Sequence, residues 1–321
     1  MGTDTEGPAF DPPLVALFTA MREGAPAEKP ADIAVRRAEA DATFMLIHPG
    51  PQAGVTAIDH TVAVDGGEIR VRVYTPDGIA APAPTLFFVH GGGWVQGNLD
   101  TAEVECGQMA GPVGCVVVSV EYRLAPEHPF PIPLDDVVAA YEWTLKNATE
   151  LGVDTTNIAI GGTSAGGNLC AALTLMCKDR GLTMPIGQLL IVPGLDLTLG
   201  SPSVVECGEG AGLTGADYDE YAGFYVGPDG DRANPLVSPL LADDLSGLPP
   251  AVIFVAEHDP VRDDGERYLQ RLHAAGVPAV GMRVLAHFHG SWVIPITPTF
   301  RLMQDLQVAA LKRIFEGTLV P

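Results

Sequence analysis

Six apolar runs, 86–89, 115–120, 158–160, 189–192, 252–255 and 280–285, constrain the fold of this chain more than any other feature. None alternates cleanly between apolar and polar residues, so each reads as a strand covered on both faces. Amphipathic stretches of helical length lie between most of them, at 134–145, 166–180 and 265–275, the last two stopped by Gly181 and Gly276. Strands alternating with helices imply a parallel, doubly wound sheet. Ahead of it, 61–64 and 68–74 flank Asp65-Gly66-Gly67, and Ile69, Val71 and Val73 alternate with charged residues. That pattern predicts an antiparallel hairpin with one wet face.

With 321 residues and 47% hydrophobic content, the chain can build one large domain, or a domain with a small cap. The helix-like segments 12–22 and 31–47, separated by Gly24-Ala25-Pro26, suggest that residues 1–50 form a helical cap segment and 51–321 the main domain. Residues 196–247 interrupt the strand–helix rhythm and read as an insertion contributing to a pocket, with a helix over the aromatic-rich 218–225.

A formal net charge of −22 repels phosphate backbones and anionic lipid headgroups, which argues against nucleic-acid and membrane partners. Residues 1–30 carry acids and prolines where a signal peptide has a basic start and an apolar run. The five cysteines (Cys106, Cys115, Cys170, Cys177, Cys207) are odd in number and lack C-x-x-C spacing, so neither a disulfide framework nor a zinc site is expected. A reducing cytoplasm is the simplest setting.

Against this background, Gly162-Thr163-Ser164-Ala165-Gly166 follows the apolar run 158–160 and precedes a helical segment. Small residues around a serine suit a sharp strand-to-helix elbow that lifts the hydroxyl into a pocket. Alone, a G-x-S-x-G in a chain with 37 glycines is weak. A serine nucleophile also needs a base, an acid to orient that base, and donors for the developing oxyanion. His90-Gly91-Gly92-Gly93-Trp94 follows the run 86–89, and its glycines can expose backbone N–H groups. A phosphate loop is the other reading of such a turn, disfavoured by the missing Lys-Ser/Thr pair and the acidic context. Asp259 and His289 follow the runs 252–255 and 280–285, at the strand ends where open α/β sheets bind ligands. The order Ser164, Asp259, His289 is that of the α/β-hydrolases.

The residues alone leave alternatives. His287 shares a loop with His289, and Asp263 and Asp264 compete with Asp259, although they read more simply as charges at a helix start. His90 reads as a support for the glycine turn, and Tyr122, Arg123 and Glu127 as pins of a loop. Cys170 and Cys177 read as buried small hydrophobes on one helix face, and Trp94 and the 218–225 aromatics as pocket wall or core.

Together these motifs make the chain resemble the hormone-sensitive-lipase-like family of α/β-hydrolases, the bacterial family IV esterases, from about Val62 to Trp292. The resemblance rests on His90 to Trp94, on Tyr122-Arg123-Leu124-Ala125-Pro126-Glu127-His128-Pro129-Phe130-Pro131, on Gly162 to Asn168, on Asp259-Pro260-Val261-Arg262-Asp263 and on His289-Gly290. It implies a mostly parallel eight-stranded sheet flanked by helices, with a helical cap. It further implies Ser164 as nucleophile, His289 as base, Asp259 as acid, and the amides of Gly91, Gly92 and Ala165 as oxyanion hole. The expected substrates are small-molecule esters of short to medium acyl chains, cleaved through an acyl-enzyme without metal or organic cofactor. A homodimer through the last strands is plausible on the same resemblance. Trp94, Tyr218 and Trp292 are the candidate pocket residues. Two positions depart from the common pattern: Thr163 stands where many members have Asp, pointing to the Gly-Thr-Ser-Ala-Gly branch, and Ser291-Trp292 stand where Phe is usual. Two other functions remain compatible, an amide or N-acetyl hydrolase on the same triad and a non-catalytic ligand receptor, although receptors on this fold usually lack the base.

Overall fold

The computed structural model describes residues 12–16, 19, 30–47, 52–209, 212–295 and 297–319. Strands β1 (Val55–Val64) and β2 (Gly67–Pro76) form the expected hairpin, with Val64 opposite Gly67 and Gly66 in the left-handed turn at φ 74°. Ile69, Val71 and Val73 are buried beneath it. On its outer face Arg72 pairs with Asp59 and Asp100, and Arg70 with Glu121.

The remaining strands are β3 (Ala83–Val89), β4 (Val116–Glu121), β5 (Val153–Thr163), β6 (Gly187–Ile191), β7 (Ala251–His258) and β8 (Ala279–Phe288). They join the hairpin in one eight-stranded sheet ordered β1-β2-β4-β3-β5-β6-β7-β8. β2 is antiparallel to both neighbours, and every pair from β4 to β8 is parallel. β3, β4 and β6 are buried almost throughout, as continuous apolar runs require. The run 280–285 departs from that expectation. Among the described residues β8 pairs with β7 alone, and Val280, Met282 and Leu285 lie on the surface, 40–65% exposed. A continuous apolar run marks a strand of a parallel sheet without saying whether a second strand covers its far edge.

Seven helices of eleven residues or more lie among the described residues: α1 (Ile33–Ile47), α2 (Glu103–Val113), α3 (Ile132–Lys146), α4 (Ala165–Arg180), α5 (Gly215–Val226), α6 (Arg262–Ala274) and α7 (Pro298–Phe315). α4 stops at Gly181, φ 66°, whose N–H closes on Cys177 O. Thr214 and Asp217 start α5 with a reciprocal capping box. Neither α2, which carries Gly107, Gly111 and Pro112, nor α7 is among the helices expected from the sequence, although Thr297 followed by Pro298 is a helix-start signal. These two pack against each other, as do α3 and α4. Of the expected segment 12–22, residues 12–16 and Thr19 are helical, and the rest lie outside the described residues.

Candidate active site

β5 ends at Thr163 and α4 begins at Ala165, leaving Ser164 alone at φ 56°, ψ −116°. A residue with a Cβ is rarely found there, so neighbouring backbone must impose it. It can do so because side chains are missing around the turn. A Cβ on Gly166 would lie 2.0 Å from Val89 O, and one on Gly162 would lie 2.5 Å from Gly166 C. Gly166→Ala is therefore expected to destabilise the fold by about 3 kcal/mol or more, read as a lowered midpoint of thermal unfolding. An unchanged midpoint would mean that β3 and the elbow separate more easily than this packing implies.

The glycine turn after β3 packs on the same elbow, since a Cβ on Gly91 would lie 2.8 Å from Thr163 O. Gly92 and Gly93 take φ values of 117° and 61°. His90 is buried, its Nδ1 donates to Gly91 O at 2.7 Å, and its ring stacks on Tyr122 with centroids 4.4 Å apart. Burial lowers its pKa and keeps the imidazole neutral. Tyr122 OH in turn donates to His90 O at 3.1 Å. The amides of Gly91, Gly92 and Ala165 donate to no protein acceptor among the described residues, and all three residues line the same cavity as Ser164.

Asp259 directly follows β7 and is fully buried, with Oδ1 accepting from Val261 N at 3.0 Å. Its Oδ2 accepts from His289 Nδ1 at 2.8 Å, and His289 Nε2 lies 2.8 Å from Ser164 Oγ. With the ring proton on Nδ1, Nε2 is free to accept from the serine hydroxyl. His287 lies elsewhere, its Nδ1 2.7 Å from Ser291 Oγ and its side chain buried away from Ser164. A bulge separates the two histidines' environments. Ala286 sits at φ 61° with its N–H on Glu257 Oε2 at 2.7 Å, and pairing with β7 resumes only at Phe288. No sequence signal identified Glu257.

Asp263 accepts from Ser203 N and from Arg262 Nε. Asp264 does lie in the first turn of α6, and it does more than place a charge there. It is completely buried and accepts from Leu195 N, Asp196 N, Ser201 Oγ and Tyr218 OH, and burial raises its carboxyl to about 7. It thereby ties the 196–247 segment to α6. Arg123 forks onto Asp136 and Glu127 onto Arg37, both in loop-pinning roles.

Ser164 and His289 open into a cavity of about 430 Å³. Its walls include the glycine turn, Phe44 from α1, and Tyr218 and Tyr221 from α5. Trp94, at φ 62°, lines it too, its ring stacked 4.7 Å from that of Tyr225. Trp292 does not. Buried at 2% exposure, it borders a separate crevice of about 20 Å³ between α2 and α7, so its candidacy as a pocket residue is withdrawn. A motif neighbour points wherever its own turn directs it, here into the short 3₁₀ turn Ser291–Val293. Phe44 and Glu105, both cavity-lining, have no counterpart among the residues expected from the sequence, whereas Tyr221 comes from the 218–225 aromatics. α1 is held over the site by Arg36 on Glu220 of α5, and by Arg37 on Val95 O, Ala125 O and Glu127. Among the described residues no group of three His, Cys, Asp or Glu side chains is arranged to hold a metal ion, and no helix is long and apolar enough to cross a membrane.

A family model described as alpha/beta hydrolase fold matches residues 86–293. The carboxylic ester hydrolase LipN of Mycobacterium tuberculosis is 40% identical over 296 residues, spanning 89% of this chain and 77% of its own. An arylesterase of Saccharolobus solfataricus is 38% identical over 259 residues, 80% of this chain and 83% of its own. Among solved structures, an ester hydrolase from the metagenome of Lake Arreo, in complex with a bipyridine phosphonate derivative, superposes with a TM-score of 0.90 at 35% identity, covering 96% of this chain and 99% of that one.

Proposed function

Since the chain belongs to the hormone-sensitive-lipase-like family of α/β-hydrolases and is a serine carboxylic-ester hydrolase, we propose that Ser164, His289 and Asp259 form its catalytic triad and that turnover passes through an acyl-serine. One observation carries this reading: the unbroken chain from buried Asp259 through His289 to Ser164, with 2.8 Å at each link, ending in the cavity.

In the first half-reaction Ser164 Oγ attacks the ester carbon while His289 Nε2 takes its proton. The carbonyl oxygen becomes an oxyanion facing the N–H groups of Gly91, Gly92 and Ala165, and the positive end of α4 adds to their field. Asp259 offsets the charge of the imidazolium, which then delivers its proton to the departing alkoxide. Water attacks the acyl-serine in the second half, with His289 again taking and returning one proton. Each oxyanion donor contributes about 3 kcal/mol to the transition state.

A cavity of about 430 Å³ roofed by α1 and α5 supports short- to medium-chain acyl groups as substrates, with residues 1–50 and 196–247 together acting as the cap. Hydrolysis of p-nitrophenyl esters from two to sixteen acyl carbons, beside a matched anilide, tests this. Turnover is expected to peak below about ten carbons and to favour the ester, since an amide's nitrogen must be protonated before it leaves. A peak at sixteen carbons overturns the chain-length reading, and faster anilide cleavage overturns the ester reading. The exposed Val280, Met282 and Leu285 on edge strand β8 support a homodimer, and five free, buried cysteines support a reducing, cytoplasmic setting.

A further inference from the structure

Carboxylates line the candidate active-site cavity, and they are unequally committed. Asp41 accepts from Asn98 Nδ2 at 3.1 Å, and Asp217 accepts from Thr214 N and Oγ1 in its capping box. Glu105, from α2, receives one hydrogen bond, from Thr163 Oγ1 at 2.5 Å, and Thr163 is the residue before Ser164. Its second carboxyl oxygen accepts from no donor among the described residues, and no Lys or Arg pairs with it there. Glu105 is half-buried, and a carboxyl withdrawn that far from water without a counter-charge is favoured by a partner, either a proton or a ligand. Burial accordingly raises the Glu105 pKa to about 7, so near neutral pH a bound cation can replace the proton at little cost. No described Lys or Arg lines the cavity to compete for that role. Its basic side chains are His90, spent on Gly91 O, and His289, held between Asp259 and Ser164.

We propose that Glu105 is a specificity-determining residue that receives a protonated amine carried on the substrate, so that ammonium-bearing esters are preferred over neutral ones of the same shape and carboxylate-bearing esters are excluded. This inference rests on the ester-hydrolase reading of the same cavity and names a substrate class within it.

The test compares 2-(dimethylamino)ethyl butyrate with its neutral isostere 3-methylbutyl butyrate, for the wild-type protein and for Glu105→Gln. The glutamine amide oxygen can still accept from Thr163, so the turn keeps its support. The quantity read is the ratio of kcat/KM for the two esters, which cancels the fraction of folded enzyme and any general loss of activity. That ratio is expected to fall about tenfold in the variant, as loss of one charge-assisted contact implies. An equal ratio in the two proteins overturns the proposal. On wild-type protein alone, KM is expected to rise from the ammonium ester to the neutral ester to 2-carboxyethyl butyrate, and equal KM values overturn it as well. Failure of wild-type protein to hydrolyse any of the three overturns the ester-hydrolase reading itself, which is distinguishable from hydrolysis without charge preference.

Discussion

Ser164→Ala is expected to lower kcat by about a millionfold, leaving only what the oxyanion donors and substrate positioning achieve without a nucleophile. Two features of the site make the loss that large. Ser164 Oγ is the hydroxyl within reach of His289 Nε2, at 2.8 Å, and the strained elbow that presents it has no side chain able to take its place, because Gly162 and Gly166 cannot carry one. The fold should survive. Alanine occupies the same φ of 56° with the same Cβ, and the exchange removes one partly buried hydrogen bond, a change of about 1 kcal/mol. Turnover of a p-nitrophenyl ester and covalent labelling by a fluorophosphonate check it together. Wild-type protein should carry one adduct on Ser164 and the variant none, with unfolding midpoints within a few degrees. Turnover by the variant within a hundredfold of wild type would show that another group attacks the ester.

The second large effect is expected from Asp259→Asn, about a ten-thousandfold drop in kcat. The mechanism is a change of tautomer, and the hydrogen bonds around Asp259 dictate its direction. Oδ1 accepts from Val261 N at 3.0 Å, a backbone donor that cannot turn away, so an amide at this position must keep its oxygen there. Its NH2 then faces His289 Nδ1, which becomes an acceptor, and the ring proton moves to Nε2. An N–H at Nε2 cannot take a proton from Ser164. Because Asp259 has no exposed surface, water cannot intervene to restore the original tautomer. Single-turnover kinetics with an activated ester measure the acylation step, where the loss should appear. A drop smaller than tenfold would mean that a different carboxylate orients His289. Neither nearby alternative is available for that, since Asp263 is engaged by Ser203 and Arg262 and Asp264 by four donors of its own.

The strands, and the helices that follow β4, β5 and β7, were legible because their signals are local, whereas α2 and α7 were not. A buried strand needs an unbroken apolar run and a helix its spaced apolar face, whatever lies beyond. The elbow and the glycine turn were legible for a related reason. Backbone that approaches other backbone to within 2–3 Å of a would-be Cβ requires glycine, and the requirement is written at Gly91, Gly162 and Gly166. Exposure of β8 was illegible, because a strand's far edge is a property of the sheet. The same holds for Trp292, whose pocket role failed on the direction of one short turn, and for Asp264, whose four donors stand 46 to 69 positions away in the chain.

By itself, then, the sequence determined a doubly wound sheet, a serine on an elbow, a glycine turn beside it, and an acid and a base at the ends of two later strands. Tertiary structure decided which of the candidates meet. His287 and His289 stand two residues apart, and in an unbroken strand they would share a face. The left-handed Ala286, pinned by Glu257 from β7, and the left-handed Gly290 break that register and leave His287 with Ser291 and His289 with Ser164. Tertiary structure also placed Glu105 against Thr163, 58 positions away, and closed α1 over the cavity through Arg36 and Arg37. The division follows from range: torsional and periodic preferences act within a few residues, whereas a hydrogen bond or an ion pair joins any two groups that packing brings within about 3 Å.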